Sequence, residues 1–152
     1  MVRKIIILFF FIFLSSSCDY KPIYSTTSNN NFYIEEINFD GDIEINNLIN
    51  KKLKNYQKQE APRKFNINVY SDLKKISQSK DQKGKTTDYK IIIKTKFEIN
   101  YNQKITVIQT QEDFLIKNLT NEFEEKKYEK TKIKNAIDII INTLVIQLSQ
   151  IK

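Results

Sequence analysis

Few side chains in these 152 residues are equipped for covalent chemistry, and the one that stands out is Cys18, the single cysteine. A thiolate is a nucleophile that can be alkylated, acylated or oxidised. Its position narrows the choice. Cys18 follows the apolar run Ile5 to Leu14 and the small residues Ser15, Ser16 and Ser17, with Arg3 and Lys4 just ahead of the run. A basic start, an apolar stretch and small residues are the order of a secretory signal peptide. The apolar run has 10 residues, whereas a spanning helix needs about 20, so it reads as an export signal and not as a permanent anchor. No second cysteine is available for a disulfide, and a free thiol is a liability in an exported chain.

The junction resembles the lipobox of bacterial lipoproteins, in which the signal is cut before a cysteine and the thiol is lipid-modified. The lipobox has an aliphatic residue three positions before the cysteine; here that position is Ser15, and Leu14 lies one further back. The alternative is an ordinary signal peptide with a cysteine near its end by chance. The use of cysteine once in 152 residues, at this boundary, favours lipidation. Each buried acyl methylene contributes about 0.8 kcal/mol, so one chain holds a protein marginally and several chains on one cysteine hold it firmly.

Other chemistry is scarce. There is no histidine, the commonest general base and metal ligand. The two glycines, Gly41 and Gly84, make no phosphate-cradling loop. The acidic neighbours Glu35-Glu36, Glu112-Asp113 and Glu124-Glu125 diverge by 180° in a strand or about 100° in a helix and make poor acid–base pairs. An enzyme is not expected, and neither is a cofactor or metal. What remains is a tethered binding or assembly module. Its candidate contacts are lysines: Lys90, Lys94 and Lys96 share one strand face, flanked by Lys74, Lys75, Lys80, Lys83 and Lys85. Such a patch can hold phosphates as point charges, or it can be a solubilising outer face. Removal of Arg3 and Lys4 with the signal lowers the 25 basic residues to 23 against 18 acidic ones. That surplus suits an anionic partner, although the abundance of Lys, Ile and Asn also reads as codon bias. Export argues against nucleic acid.

The elements that position these residues follow from periodicity. Residues 32–39 read as a first strand with imperfect alternation, and Asp40-Gly41-Asp42 as a turn whose acids can cap a helix. Ile45, Leu48, Ile49, Leu53 and Tyr56 recur at helical spacing, predicting an amphipathic helix over roughly 42–58, ended by Ala61-Pro62. Phe65, Ile67 and Val69 alternate with polar residues as a second strand, and 77–87 reads as an exposed hairpin loop. Tyr89 through Tyr101 alternate most cleanly, with only Ile92 breaking the polar side. Asn102-Gln103 predicts a tight turn into a fourth strand over 105–111. A long C-terminal helix carries Ile133, Ile137, Ile140, Leu144, Leu148 and Ile151 on one stripe, starting at the Asn121/Glu124 capping box or only near Thr131. The expected fold is α+β: a two-layer sandwich in the order β-α-β-β-β-α, with a four-stranded mixed sheet, both helices on one face and the lysine-studded face open. Residues 1–17 are the signal, 18–31 a lipidated tether and 32–152 one domain.

Cys18-Asp19-Tyr20-Lys21-Pro22-Ile23-Tyr24 resembles the start of mature LptE-family lipoproteins, which often open with cysteine, a small residue, an aromatic, a variable residue, proline, an aliphatic and tyrosine. The element order and length are similar to that family as well. The resemblance implies a non-enzymatic outer-membrane lipoprotein that plugs the LptD β-barrel, supports its assembly and contacts lipopolysaccharide in transit. It makes Tyr20, Pro22, Ile23 and Tyr24 candidate partner contacts, and it makes Lys74, Lys75, Lys83, Lys85, Lys90, Lys94 and Lys96 candidate lipopolysaccharide contacts. Asp19 stands where the family usually has glycine, and in enteric bacteria an aspartate there retains lipoproteins at the inner membrane. The alternative is therefore a free-standing periplasm-facing lipoprotein that binds another anionic or cell-wall ligand.

Overall fold

The structure, a computed structural model, describes residues 31–58 and 61–151. Strand β1 is Phe32–Gly41, helix α1 is Ile43–Leu53, and a 3-10 turn, Lys54–Gln57, extends that helix. Strands β2 (Arg63–Lys80), β3 (Thr86–Tyr101) and β4 (Lys104–Lys117) follow, and helix α2 (Glu122–Gln150) closes the chain. The sheet order is β1-β2-β3-β4. β1 runs parallel to β2 across the α1 crossover, and both hairpins are antiparallel. This is the expected α+β sandwich, mixed sheet and element order included.

The imperfect alternation of β1 has a local cause. Glu35 is a bulge: Ile34 lies opposite Phe65 and Glu36 opposite Asn66. The extra residue lets Ile34, Ile37 and Phe39 all turn toward the helices. Gly41 then ends the strand at φ +99°, where a Cβ would stand 1.9 Å from the Ser71 carbonyl oxygen. Asp42 caps α1 by accepting the Ile45 N–H at 2.9 Å.

The core fills the space between the sheet and the helices. Phe65, Ile67 and Val69 from β2 and Ile91, Ile93, Phe97 and Ile99 from β3 meet Ile45, Ile49 and Leu53 from α1 and the Ile133–Leu148 stripe of α2. Truncating one of the fully buried members to alanine costs about 2–5 kcal/mol. At the base, Phe32 stacks on Tyr56 at 5.8 Å and meets Phe65 edge-on at 5.6 Å. A row of hydroxyls crosses the covered face at mid-height. Ser71 lies opposite Thr95 and Thr95 opposite Thr110. Ser71 donates to Asn46 Oδ1 at 2.7 Å, and the two threonine hydroxyls bond at 2.6 Å.

Above that row β1 has ended, so the sheet is three-stranded and α2 is the helix over it. Here the structure corrects one expectation. Residues 77–87 are mostly strand: β2 runs to Lys80, β3 resumes at Thr86, and the loop is only 81–85. The segment reads as a loop because its side chains are exposed on both faces, yet the ladder continues with Ser77 opposite Tyr89 and Lys80 opposite Thr86. β4 likewise runs past Gln111 to Lys117. Of the two starts open to α2, the early one is found: Asn121 accepts from the Phe123 and Glu124 N–H groups at 3.0 and 3.4 Å. No described helix is long and apolar enough to cross a membrane.

Candidate functional site

The face of the sheet away from the helices is the surface on which the lysines were expected to gather. The Asn102-Gln103 turn, with both residues at positive φ, sets the β3–β4 register. It places Gln109 beside Lys96 and Gln111 beside Lys94, while the β2–β3 pairing brings Tyr70 to the other side of Lys96 and Asp72 to the other side of Lys94. These six side chains ring a shallow cavity of about 460 Å³. Tyr70, Asp72, Gln109 and Gln111 were not among the residues singled out from sequence. The signal for the two glutamines is register, because a two-residue turn dictates which residues lie across from each lysine on that side, whereas Asp72 stands two residues from Lys74 on the same strand.

The face is cationic in composition but mostly paired. Lys74 lies 3.5 Å from Asp72, Lys90 2.9 Å from Asp113 and Lys96 3.0 Å from Glu98. Lys96 Nζ also lies 4.1 Å from the Tyr70 ring centre, a cation–π contact, and the Tyr70 hydroxyl donates to Glu98 at 3.3 Å. The hydrogen bond from Lys96 holds the Glu98 carboxyl below the usual carboxylate range, and Lys90 does the same for Asp113. Lys94 has no acidic partner among the described residues. It is the free positive charge on the wall of the cavity, where an anionic or polyhydroxyl ligand would meet it.

The remaining lysines part company. Lys75, one residue from Lys74 on a strand, must point to the opposite face. It lies under α2, 2.8 Å from Glu129 and 3.6 Å from Glu125, with Nζ 4.5 Å from the Tyr89 ring centre. Burial alone lowers its pKa, but Glu129 and Glu125 together outweigh that and hold it above the ordinary lysine value. Lys75 also borders a second cavity, of about 550 Å³, with Glu44, Tyr89 and the first turns of α2. Lys83 and Lys85 occupy the β2–β3 hairpin tip, where Asp81 accepts both their backbone N–H groups at 2.9 Å. Of the seven candidate lysines the structure brings four, Lys74, Lys90, Lys94 and Lys96, onto one face. Cys18, Tyr20, Pro22, Ile23 and Tyr24 lie outside the described residues.

At the other end of the sheet Arg63 ties the two termini of the domain together. Its guanidinium donates to the carbonyls of Ser149 and Ile151 at 3.1 and 2.6 Å and, through Nε, to that of Asn31 at 3.1 Å. The segment before β1 therefore enters beside the C-terminus of α2, at the end remote from the lysine hairpin.

No family model and no curated protein sequence matches the chain. Solved structures do. The rare lipoprotein B from Shewanella oneidensis superposes with a TM-score of 0.55 at 12% identity, covering 76% of this chain and 97% of that one. Lipoprotein B from Nitrosomonas europaea gives 0.55 at 10% identity, over 80% and 87% of the two chains. A lipoprotein from Caulobacter crescentus gives 0.51 at 8%, over 77% and 88%. At such identities the likeness is one of fold, and the chain has the two-layer fold seen in these three lipoproteins.

Proposed function

We propose that this chain is an envelope lipoprotein, held by acylated Cys18, that assembles with an LptD-like outer-membrane β-barrel, fills its lumen and takes part in moving lipopolysaccharide to the outer leaflet. The observation that carries the reading is the fold: a domain similar in architecture to three proteins described as lipoproteins follows a signal and a lone cysteine. The LptE-like opening from Cys18 to Tyr24 supports the barrel partner. A plug in a polar lumen needs polar outer surfaces, and the open face of the sheet supplies one, with Lys94 free to meet the phosphates of lipid A and the core sugars.

A second reading, a free-standing lipoprotein for another anionic or cell-wall ligand, is favoured by Asp19 and by the pairing of three of the four candidate lysines on the open face with acids. Purification of the tagged full-length protein from its own membranes in mild detergent separates the two. The plug reading expects one large, heat-modifiable barrel protein in equal amount. Recovery of the protein alone, in inner-membrane fractions, would overturn it.

A further inference from the structure

The cavity on the open face is a slot between two rows of side chains that cross three strands. Tyr70, Lys96 and Gln109 form one row, and Asp72, Lys94 and Gln111 form the next. Residues on one face of a strand stand about 7 Å apart, and the cavity of about 460 Å³ lies in that gap. Its floor is the main chain of Ser71, Thr95 and Thr110, whose hydroxyls are engaged on the helix face. The slot is a poor trap for a phosphate. Lys96 is paired with Glu98, and Lys74 lies by Asp72. Lys94 is the one ammonium without an acidic partner among the described residues, and the Asp72 position lies directly across from it. An entering anion therefore meets attraction and repulsion at similar range.

The groups left unengaged suit a different ligand. Gln109 and Gln111 are exposed, two residues apart on the same side of β4. An amide carries a donor and an acceptor side by side, an ammonium only donates and a carboxylate only accepts. Sugar hydroxyls do both, so a neutral run of hydroxyls satisfies all four of Asp72, Lys94, Gln109 and Gln111, whereas a phosphate satisfies only the donors. Amides continue one row further along the face, where Asn38 donates to Asn68 Oδ1 at 3.2 Å.

We propose that this slot binds a glycan through its hydroxyls, with Gln109 and Gln111 as the recognising groups and Asp72 and Lys94 completing the set of acceptors and donors. The inference deepens the proposed function and rests on that reading for the source of the glycan, the oligosaccharide of lipopolysaccharide. The slot reads the sugars and not the phosphates.

The test is calorimetric titration of the full-length protein in mild detergent. One probe is the oligosaccharide freed from lipid A by mild acid, before and after removal of its phosphates. The others are inorganic phosphate and the peptidoglycan disaccharide. Both forms of the oligosaccharide should bind, with affinities that change less than about twofold between 0.1 and 1 M salt, where screening removes most of a charge-driven attraction. Inorganic phosphate should not bind. Gln109→Met and Gln111→Met together should weaken oligosaccharide binding about tenfold with an unchanged circular dichroism melt, and Gln109→Met alone should weaken it severalfold. Loss of binding on dephosphorylation, or full binding by the double variant, would overturn the proposal. Binding of the peptidoglycan disaccharide alone would keep the glycan slot and overturn its source. The detergent purification reads the barrel separately: a barrel partner without glycan binding sinks this inference alone, and glycan binding without a barrel sinks only the plug.

Discussion

β1 and β4 bound the same sheet, but β1 is broken by a bulge and pinned at both ends, while β4 runs regular from end to end. β1 is short, carries a bulge at Glu35 with its carboxylate paired to Lys64, stops against Ser71 at Gly41, and is pinned at its start by Arg63. β4 is longer, regular and apolar at both ends of its exposed side. The difference follows from connectivity. A parallel strand needs a crossover helix, and the tight turn into that helix demands a glycine, a cap and a carbonyl to abut. A hairpin strand needs only a two-residue turn, so its far side carries no such constraint.

The largest effect on this contrast is expected at Gly41. Gly41→Ala forces a Cβ onto the Ser71 carbonyl at a backbone angle that side chains rarely adopt, and should cost about 3 kcal/mol or more, read as a drop in Tm. Gly84→Ala is the control: its φ is +79° but nothing lies within 4 Å, so the loss should be about 1 kcal/mol. Equal losses at both would mean that the end of β1 is not sterically locked. Next comes Arg63→Ala, which removes charge-assisted bonds at a helix C-terminus and should cost about 2 kcal/mol in urea denaturation; Arg63→Lys should recover only part, since a lysine lacks the fork that reaches four carbonyls.

Substitutions on β4 should barely register as stability. Val107→Lys and Leu115→Lys are expected to stay within about 0.5 kcal/mol of the parent. A larger loss would mean that the edge belongs to the monomer's core. The smallest signal is the titration of Asp113. Its folded pKa is depressed by Lys90, so its stabilising effect is present above the ordinary aspartate value, about 3.9, and fades as pH falls through the depressed one. Carboxyl NMR should place the midpoint below that of a free aspartate, and Lys90→Met should raise it.

Much of this architecture was legible in the chain. The alternation from Tyr89 to Tyr101, the Asn102-Gln103 turn and the Ile133–Leu148 stripe each carry a single period, and each element stands where that period puts it. The upper hairpin was not legible, because Ser77, Gln78 and Ser79 are polar on both sides and offer no alternation to read. The lysine patch was legible in part. Lys74 and Lys75 cannot share a strand face, a fact of local geometry. Asp72 stands two residues from Lys74 on the same strand, within reach of alternation alone, whereas Asp113 emerges only once register is known, and Tyr70 enters the cavity only because β2 lies beside β3.

The Arg63 clasp also decides how the domain bears a load. The chain enters the domain at Asn31, at the foot of β1, and β1 lies alongside β2 in the same direction. Tension there, with the domain held at its far end, pulls β1 lengthwise past β2. All the ladder's hydrogen bonds then resist together, instead of opening one by one as in a peeled hairpin. The guanidinium sits at the point where force enters and spreads it to the C-terminal turn of α2. A pull applied at Asn31 therefore meets the whole β1–β2 ladder at once.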